Sequence, residues 1–190
     1  MCTQWACGLE KQTQGPSNNR VSSQERWVPP LDVIKFNSDG AFNPSRNEAA
    51  SGVIARVSRC DVLWWFSGRV VASSALATEA WALRIACCAA RDQRIVRAIL
   101  ESDCKELIES VKKTTNDVPW EIYAPVMDIR SMAANRSWSF IWNRRSCNKA
   151  ANWLATRCLS KPQCLFPGCI PPKLSAIIDD DVSALQSNTI

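Results

Sequence analysis

Apolar and polar positions change period several times along this chain, and each change marks an element. Val33, Ile34 and Phe36 begin a strand that runs into Asp39-Gly40. Beyond a polar loop, residues 51–57 and 62–71 read as two more strands with a turn near Cys60-Asp61, an order that suits an antiparallel meander. Leu76, Ala80, Leu83, Cys87 and Ala90 then recur at spacings of four, three, four and three, the stripe of an amphipathic helix with Glu79 at its edge. Ala98, Ile99 and Leu100 form a short apolar run bounded by charges, a buried strand, and residues 104–113 and 120–134 read as two helices. A strand over 139–144 follows, and then a helix from Asn148 with Ala151, Leu154, Ala155 and Cys158 on one face. Three strands, helix, strand, helix, helix, strand, helix predicts a mixed α/β sheet with helices on its faces.

The flanks lack this patterning. Residues 1–30 are rich in Gln, Ser, Asn and Arg and read as a flexible leader ending at the Pro29-Pro30 breaker. Residues 31–160 form the domain. Residues 161–190 are a proline-containing tail, with too many prolines for a regular element, although PPKLSAII can dock against the domain. A length of 190 residues suits one well-filled core.

Charge and cysteine content narrow the setting. The net charge is +5, and residues 31–160 hold 18 Lys or Arg against 13 Asp or Glu, a modest basicity that permits a polyanionic partner without requiring one. No secretory signal and no bilayer-spanning stretch are visible, so the expectation is an intracellular monomer without membrane contact, nucleus and cytoplasm not being distinguished. The ten cysteines include no Cys-x-x-Cys, and the chain contains no histidine. Buried reduced thiols such as Cys87 and Cys88 are therefore favoured over an all-cysteine metal site at Cys147, Cys158, Cys164 and Cys169.

Three carboxylates carry the candidate chemistry: Asp39, Glu79 and Asp103. Each has a bland alternative. Asp39-Gly40 is a strong turn dipeptide, Glu79 can be a solvated acid in the first turn of its helix, and Asp103-Cys104-Lys105-Glu106 has the spacing of a capping box. Taken together, acids at a strand end, a helix start and the end of the next strand can converge on one cluster, which in a basic chain suggests divalent-metal and phosphate chemistry.

The segments that carry these acids resemble the ribonuclease H family, and more narrowly the plant ribonuclease H-like domains related to non-LTR retrotransposon reverse transcriptases. The resemblance rests on WVPP with KFNSDGAF, on ATEAWALRIA, on ILESDCKELI and on RRSCNKAANWLA, with PPKLSAIIDDD similar to that group's ending. It implies a ribonuclease H-like mixed five-stranded sheet and an endonuclease that hydrolyses the RNA strand of RNA-DNA hybrids by two-metal-ion catalysis. Asp39, Glu79 and Asp103 match the acids that hold two Mg²⁺ ions, for which Mn²⁺ can stand in. The fourth ligand position, usually acidic or His, falls on Asn152, which offers a neutral carbonyl oxygen and no charge.

The hybrid-binding candidates are Gly40, Asn43, Ser73, Ser74, Arg144, Arg145, Asn148 and Lys149, and recognition would depend on duplex shape and the 2′-hydroxyl. No basic protrusion fits between Lys112 and Trp120. Asn152 and the missing histidine favour a second reading, a catalytically impaired nucleic-acid-binding module of retrotransposon origin. A third is a purely structural domain whose acids are caps and turns.

Overall fold

The structure is a computed structural model, and it describes residues 27–28, 30–58, 61–115, 117–161 and 169–186. Five strands, β1 (Ile34–Asn43), β2 (Glu48–Arg56), β3 (Val62–Val70), β4 (Arg97–Ser102) and β5 (Ser137–Trp142), form one sheet in the order β3-β2-β1-β4-β5. The expected meander is present: β1 pairs antiparallel with β2, and β2 with β3. β4 and β5 then join parallel to β1 on its other side, which requires helical crossovers. Those helices are α1 (Ala75–Asp92), α2 (Lys105–Lys112) and α3 (Trp120–Ala133). A short 3₁₀ turn (Arg145–Cys147) leads into α4 (Lys149–Ser160).

The mixed five-stranded sheet agrees with the sequence expectation. Among the boundaries that differ, β2 begins at Glu48 rather than residue 51, and β5 spans Ser137–Trp142 rather than 139–144, leaving Arg144 outside it. Polar Glu48 joins a strand because its register partner Asn43 closes the hairpin, something pairing decides and hydropathy does not reveal.

Period-2 alternation divides the sheet's two faces. Val53 and Ala55 of β2 face a core with Phe36, Leu83, Leu100, Ile129 and Trp138, beneath α1 and α3. Ile54, between them, faces the opposite side with Trp65, Ala151 and Leu154, beneath α4. Three layers result, helix on sheet on helix.

Both flanks contribute to this second layer. The tail, expected to be irregular because of its prolines, forms α5 (Pro172–Gln186), and the docking expected of PPKLSAII occurs through Leu174 and Ile178. Pro172 opens the helix, where a missing N–H costs no bond and the fixed φ suits the first turn. Trp27, placed by the sequence reading in the leader, is 1% exposed. Its indole donates to Asn37 Oδ1 at 2.9 Å, and the Arg56 guanidinium lies 3.8 Å from its ring centroid. Residues 1–26, and Cys60 and Cys164 of the turn and cysteine readings, lie outside the described residues.

Among the described residues, the sulfurs of Cys87, Cys147 and Cys158 are buried, whereas Cys88 is only half-buried and Cys169 exposed. No helix among the described residues is long and apolar enough to cross a membrane.

Candidate active site

None of the three acids occupies the place its bland reading requires. Asp39 is not in a turn: it lies within β1 and pairs with Gly52 of β2. Glu79 is the fifth residue of α1, and no acid lies in that helix's first turn. Asp103 precedes the N-cap of α2, which is Cys104 and makes no side-chain cap bond. What the three share is proximity. One carboxylate oxygen from each lies within 4.8 Å of the others, at the carboxyl end of β4's parallel pairing with β1. Among the described residues this is the one group of three or more such side chains close enough to hold a metal ion.

Local structure accounts for the convergence. Gly40 has no side chain to hold α1 away: a Cβ there would stand 2.6 Å from the Glu79 amide nitrogen, so α1 presses onto β1 and brings Glu79 over its end. Gly52 does the same on the other face, where a Cβ would stand 2.3 Å from the Ala151 carbonyl oxygen. Because Gly52 pairs with Asp39, α4 is held against the strand pair that carries the acid. The Asn148 side chain completes this junction by donating to the Ser38 carbonyl at 2.8 Å. Asp103 is fixed by its backbone, whose carbonyl accepts from the Trp142 indole at 3.0 Å.

Behind the acids lies a polar network that the sequence reading did not identify. Asn37 and Glu101, paired in register, each stand two residues before an acid, and Asn37 Nδ2 donates to Glu101 Oε2 at 2.9 Å. Lys35 closes an ion pair with Glu101 at 2.8 Å, nearly out of solvent. Arg56 donates to Asn37 Oδ1 at 3.3 Å. The available signal was the i, i+2 spacing of Lys35, Asn37 and Asp39, which puts them on one face of β1, and the same spacing from Glu101 to Asp103, just past the end of β4.

Electrostatics sets the acids apart from ordinary carboxylates. Asp39 is 1% exposed, and no N–H or hydroxyl donor of the protein reaches either of its oxygens. Burial, then the Asp103 charge, push its carboxyl up to about 8, while Arg145 pulls the other way. Glu79 is held well above the usual range by burial first and by Asp39 and Asp103 next, although Ser102 Oγ donates to it at 3.3 Å. Buried oxygens that no protein donor reaches, beside two more acids, suit a bound cation, which would offset both their burial and their mutual repulsion. The donor set is all oxygen, which fits Mg²⁺ or Mn²⁺.

The remaining candidates divide. Arg144, Arg145 and Lys149 are exposed around the start of α4. Arg145 Nη2 donates to Asn152 Oδ1 at 2.7 Å, so the oxygen expected to be a fourth ligand already accepts from a guanidinium. Asn148, expected at the nucleic acid, is 1% exposed and serves the junction with β1. Asn43 uses its side-chain oxygen on the amides of Ser45 and Arg46 to shape the hairpin turn. Ser74 caps α1 by accepting from the Ala77 amide at 3.0 Å and donates its hydroxyl to Glu121, whose carboxylate would repel a phosphate. Ser73 is exposed, and Gly40 serves packing.

Comparison with known proteins agrees with this architecture. A family described as reverse transcriptase-like matches residues 37–158. The RNase H1 of the halophilic archaeon Halobacterium salinarum NRC-1 is 21% identical over 67% of this chain and 98% of its own, with a TM-score of 0.60. LC11-RNase H1, isolated from compost by metagenomics and solved with an RNA/DNA hybrid, is 16% identical over 68% of this chain and 98% of its own, at 0.61. The N-terminal RNase H domain of a Mycobacterium tuberculosis protein is 14% identical over 83% and 99%, at 0.59. No curated protein matches.

Proposed function

The chain belongs to the reverse transcriptase-like family and has a ribonuclease H-like fold, and from that premise we propose that it is a divalent-metal-dependent nuclease acting on the RNA strand of RNA-DNA hybrids. The observation that carries this reading is the pair of buried Asp39 oxygens, reached by no N–H or hydroxyl donor, at the meeting point of three acids. A structural domain with no ligand would leave a buried carboxyl that no protein donor satisfies, at a cost of about 1–3 kcal/mol even when it holds its proton.

Asp39, Glu79 and Asp103 would hold Mg²⁺ or Mn²⁺. A bound divalent ion supplies Lewis-acid polarisation of a phosphodiester and an acidified water. The chain's own groups do the rest. Exposed Arg144, Arg145 and Lys149 meet phosphates beside the acids. Without a histidine the chain has no imidazole to move a proton near neutral pH, so proton transfer falls to water and carboxylates. The number of ions, two by the resemblance, depends on Asn152 and Arg145.

A second reading, a hybrid-binding module with impaired catalysis, is favoured by Asn152, which brings no negative charge and is engaged by Arg145. Incubating the purified chain with a hybrid labelled on its RNA strand, with and without Mg²⁺ or Mn²⁺, separates the two. Metal-dependent cutting confined to RNA and lost in Asp39→Asn supports the nuclease. Binding without cutting supports the module, and neither binding nor cutting defeats both.

A further inference from the structure

We propose that Arg145 supplies the second positive charge of this site and that Asp39, Glu79 and Asp103 take a single divalent ion beside it. The inference deepens the nuclease reading and rests on it.

Its first support is the occupancy of Asn152. Arg145 lies 2.7 Å from Asn152 Oδ1. A divalent ion bound to the same oxygen at ~2.1 Å would therefore stand at most about 5 Å from a guanidinium nitrogen that never loses its charge. A carboxylate could offset that repulsion, but a neutral amide cannot. Asn152 thus suits a hydrogen bond to a cation already in place.

Its second support is charge balance. Three ionised carboxylates and one guanidinium leave two negative charges, which one divalent ion neutralises and a second would overturn to a like excess of positive charge. In a site that buries Asp39 to 1% exposure, such an excess is poorly screened.

The third support is position. The Asn152 backbone N–H donates to the Asn148 backbone carbonyl at 3.0 Å, and the Asn148 side chain donates to the Ser38 carbonyl next to Asp39. Ala151, the neighbour of Asn152, packs on Gly52, the register partner of Asp39. The Arg145–Asn152 pair is therefore anchored against the strand that carries Asp39, and Arg145's charge reaches that carboxyl. Because Arg145 is exposed, its remaining N–H groups can meet a phosphate oxygen of a bound strand.

The test is the stoichiometry of Mn²⁺ on the full chain without substrate, measured by electron paramagnetic resonance and calorimetry up to millimolar ion. Arg145 is exposed and Asn152 half-exposed, so the variants should fold, which circular dichroism verifies. The expected result is one ion per wild-type chain, and two in Arg145→Gln/Asn152→Asp, where the guanidinium is gone and a fourth carboxylate present. Two ions in the wild type, or still one in the double variant, overturn the inference while leaving a metal site. No ion in the wild type overturns the metal reading itself and the inference with it.

Discussion

Arg56 of β2 and Asp181 of α5 are joined by an ion pair of 2.7 Å, across 125 residues of sequence and with side chains only 1% and 9% exposed. Arg56 also stacks on Trp27 and donates to Asn37, so the pair ties both flanks to the strand that carries Asp39.

Removing the Asp181 carboxylate takes a charge partner from a guanidinium excluded from water, which typically costs ~3–5 kcal/mol. Asp181→Ala should therefore lower the midpoint of urea unfolding markedly. Asp128→Ala, which breaks a surface pair with Arg84, should cost about 1 kcal/mol or less. Equal losses for the two variants would show that the α5 contact is not part of the folding unit.

Gly40→Ala inserts a methyl group 2.6 Å from backbone atoms of Thr78 and Glu79. Backbone cannot swing aside as a long side chain can, so α1 must retreat. A cost of about 1–3 kcal/mol is expected, together with weaker Mn²⁺ binding as Glu79 moves from the other acids. Thermal melts and Mn²⁺ titration check the two effects separately. Unchanged metal affinity in a destabilised variant would remove Glu79 from the ligand set.

Without a cation, the Asp39 carboxyl is raised from 3.8 to about 8. The folded chain then holds a proton that the unfolded chain releases, so stability is greatest below about pH 4 for this group and is lost as pH rises towards 8. Divalent ions bind the ionised form and should reverse the trend, with affinity strengthening by up to about tenfold per pH unit over the upper part of that window. Asp39→Asn should stabilise the cation-free protein at pH 8 by about 1 kcal/mol or more, roughly 2–4 °C in Tm, while abolishing metal binding. A cation-free Tm that climbs between pH 5 and 8 would contradict this assignment.

A net charge of +5 and a handful of exposed basic residues at the start of α4 can neutralise few phosphates. Hybrid affinity should therefore be modest and fall with salt. The slope of log affinity on log salt should be only a few units, given about −0.9 per neutralised phosphate on duplex DNA. Fluorescence anisotropy between low and moderate salt measures it, and tight, salt-insensitive binding would require a contact surface other than this one.

Local chemistry determined most of the architecture. The four-three-four-three stripe of α1 and the alternation in β1 and β2 are set by which side chains must leave water, so the helix, the strands and their antiparallel order follow from pattern alone. So did the identity of the three acids, because a motif is a statement about neighbours in sequence. What pattern could not decide was contact between distant segments. Pro172 looks like a breaker until Leu174 and Ile178 find a surface to cover, and packing then supplies what propensity withholds. Trp27 looks like leader until Arg56 and Asn37 meet it. Asn148 and Ser74 look like polar surface, yet the fold uses their hydrogen-bonding atoms to fasten helices. The same holds at the site itself: sequence placed a neutral amide at 152, but only the close approach of Arg145, seven residues away across a helix start, decided what that amide holds. Side-chain hydrogen bonds act over about 3 Å, and nothing in a linear pattern records which groups the folded chain brings that close.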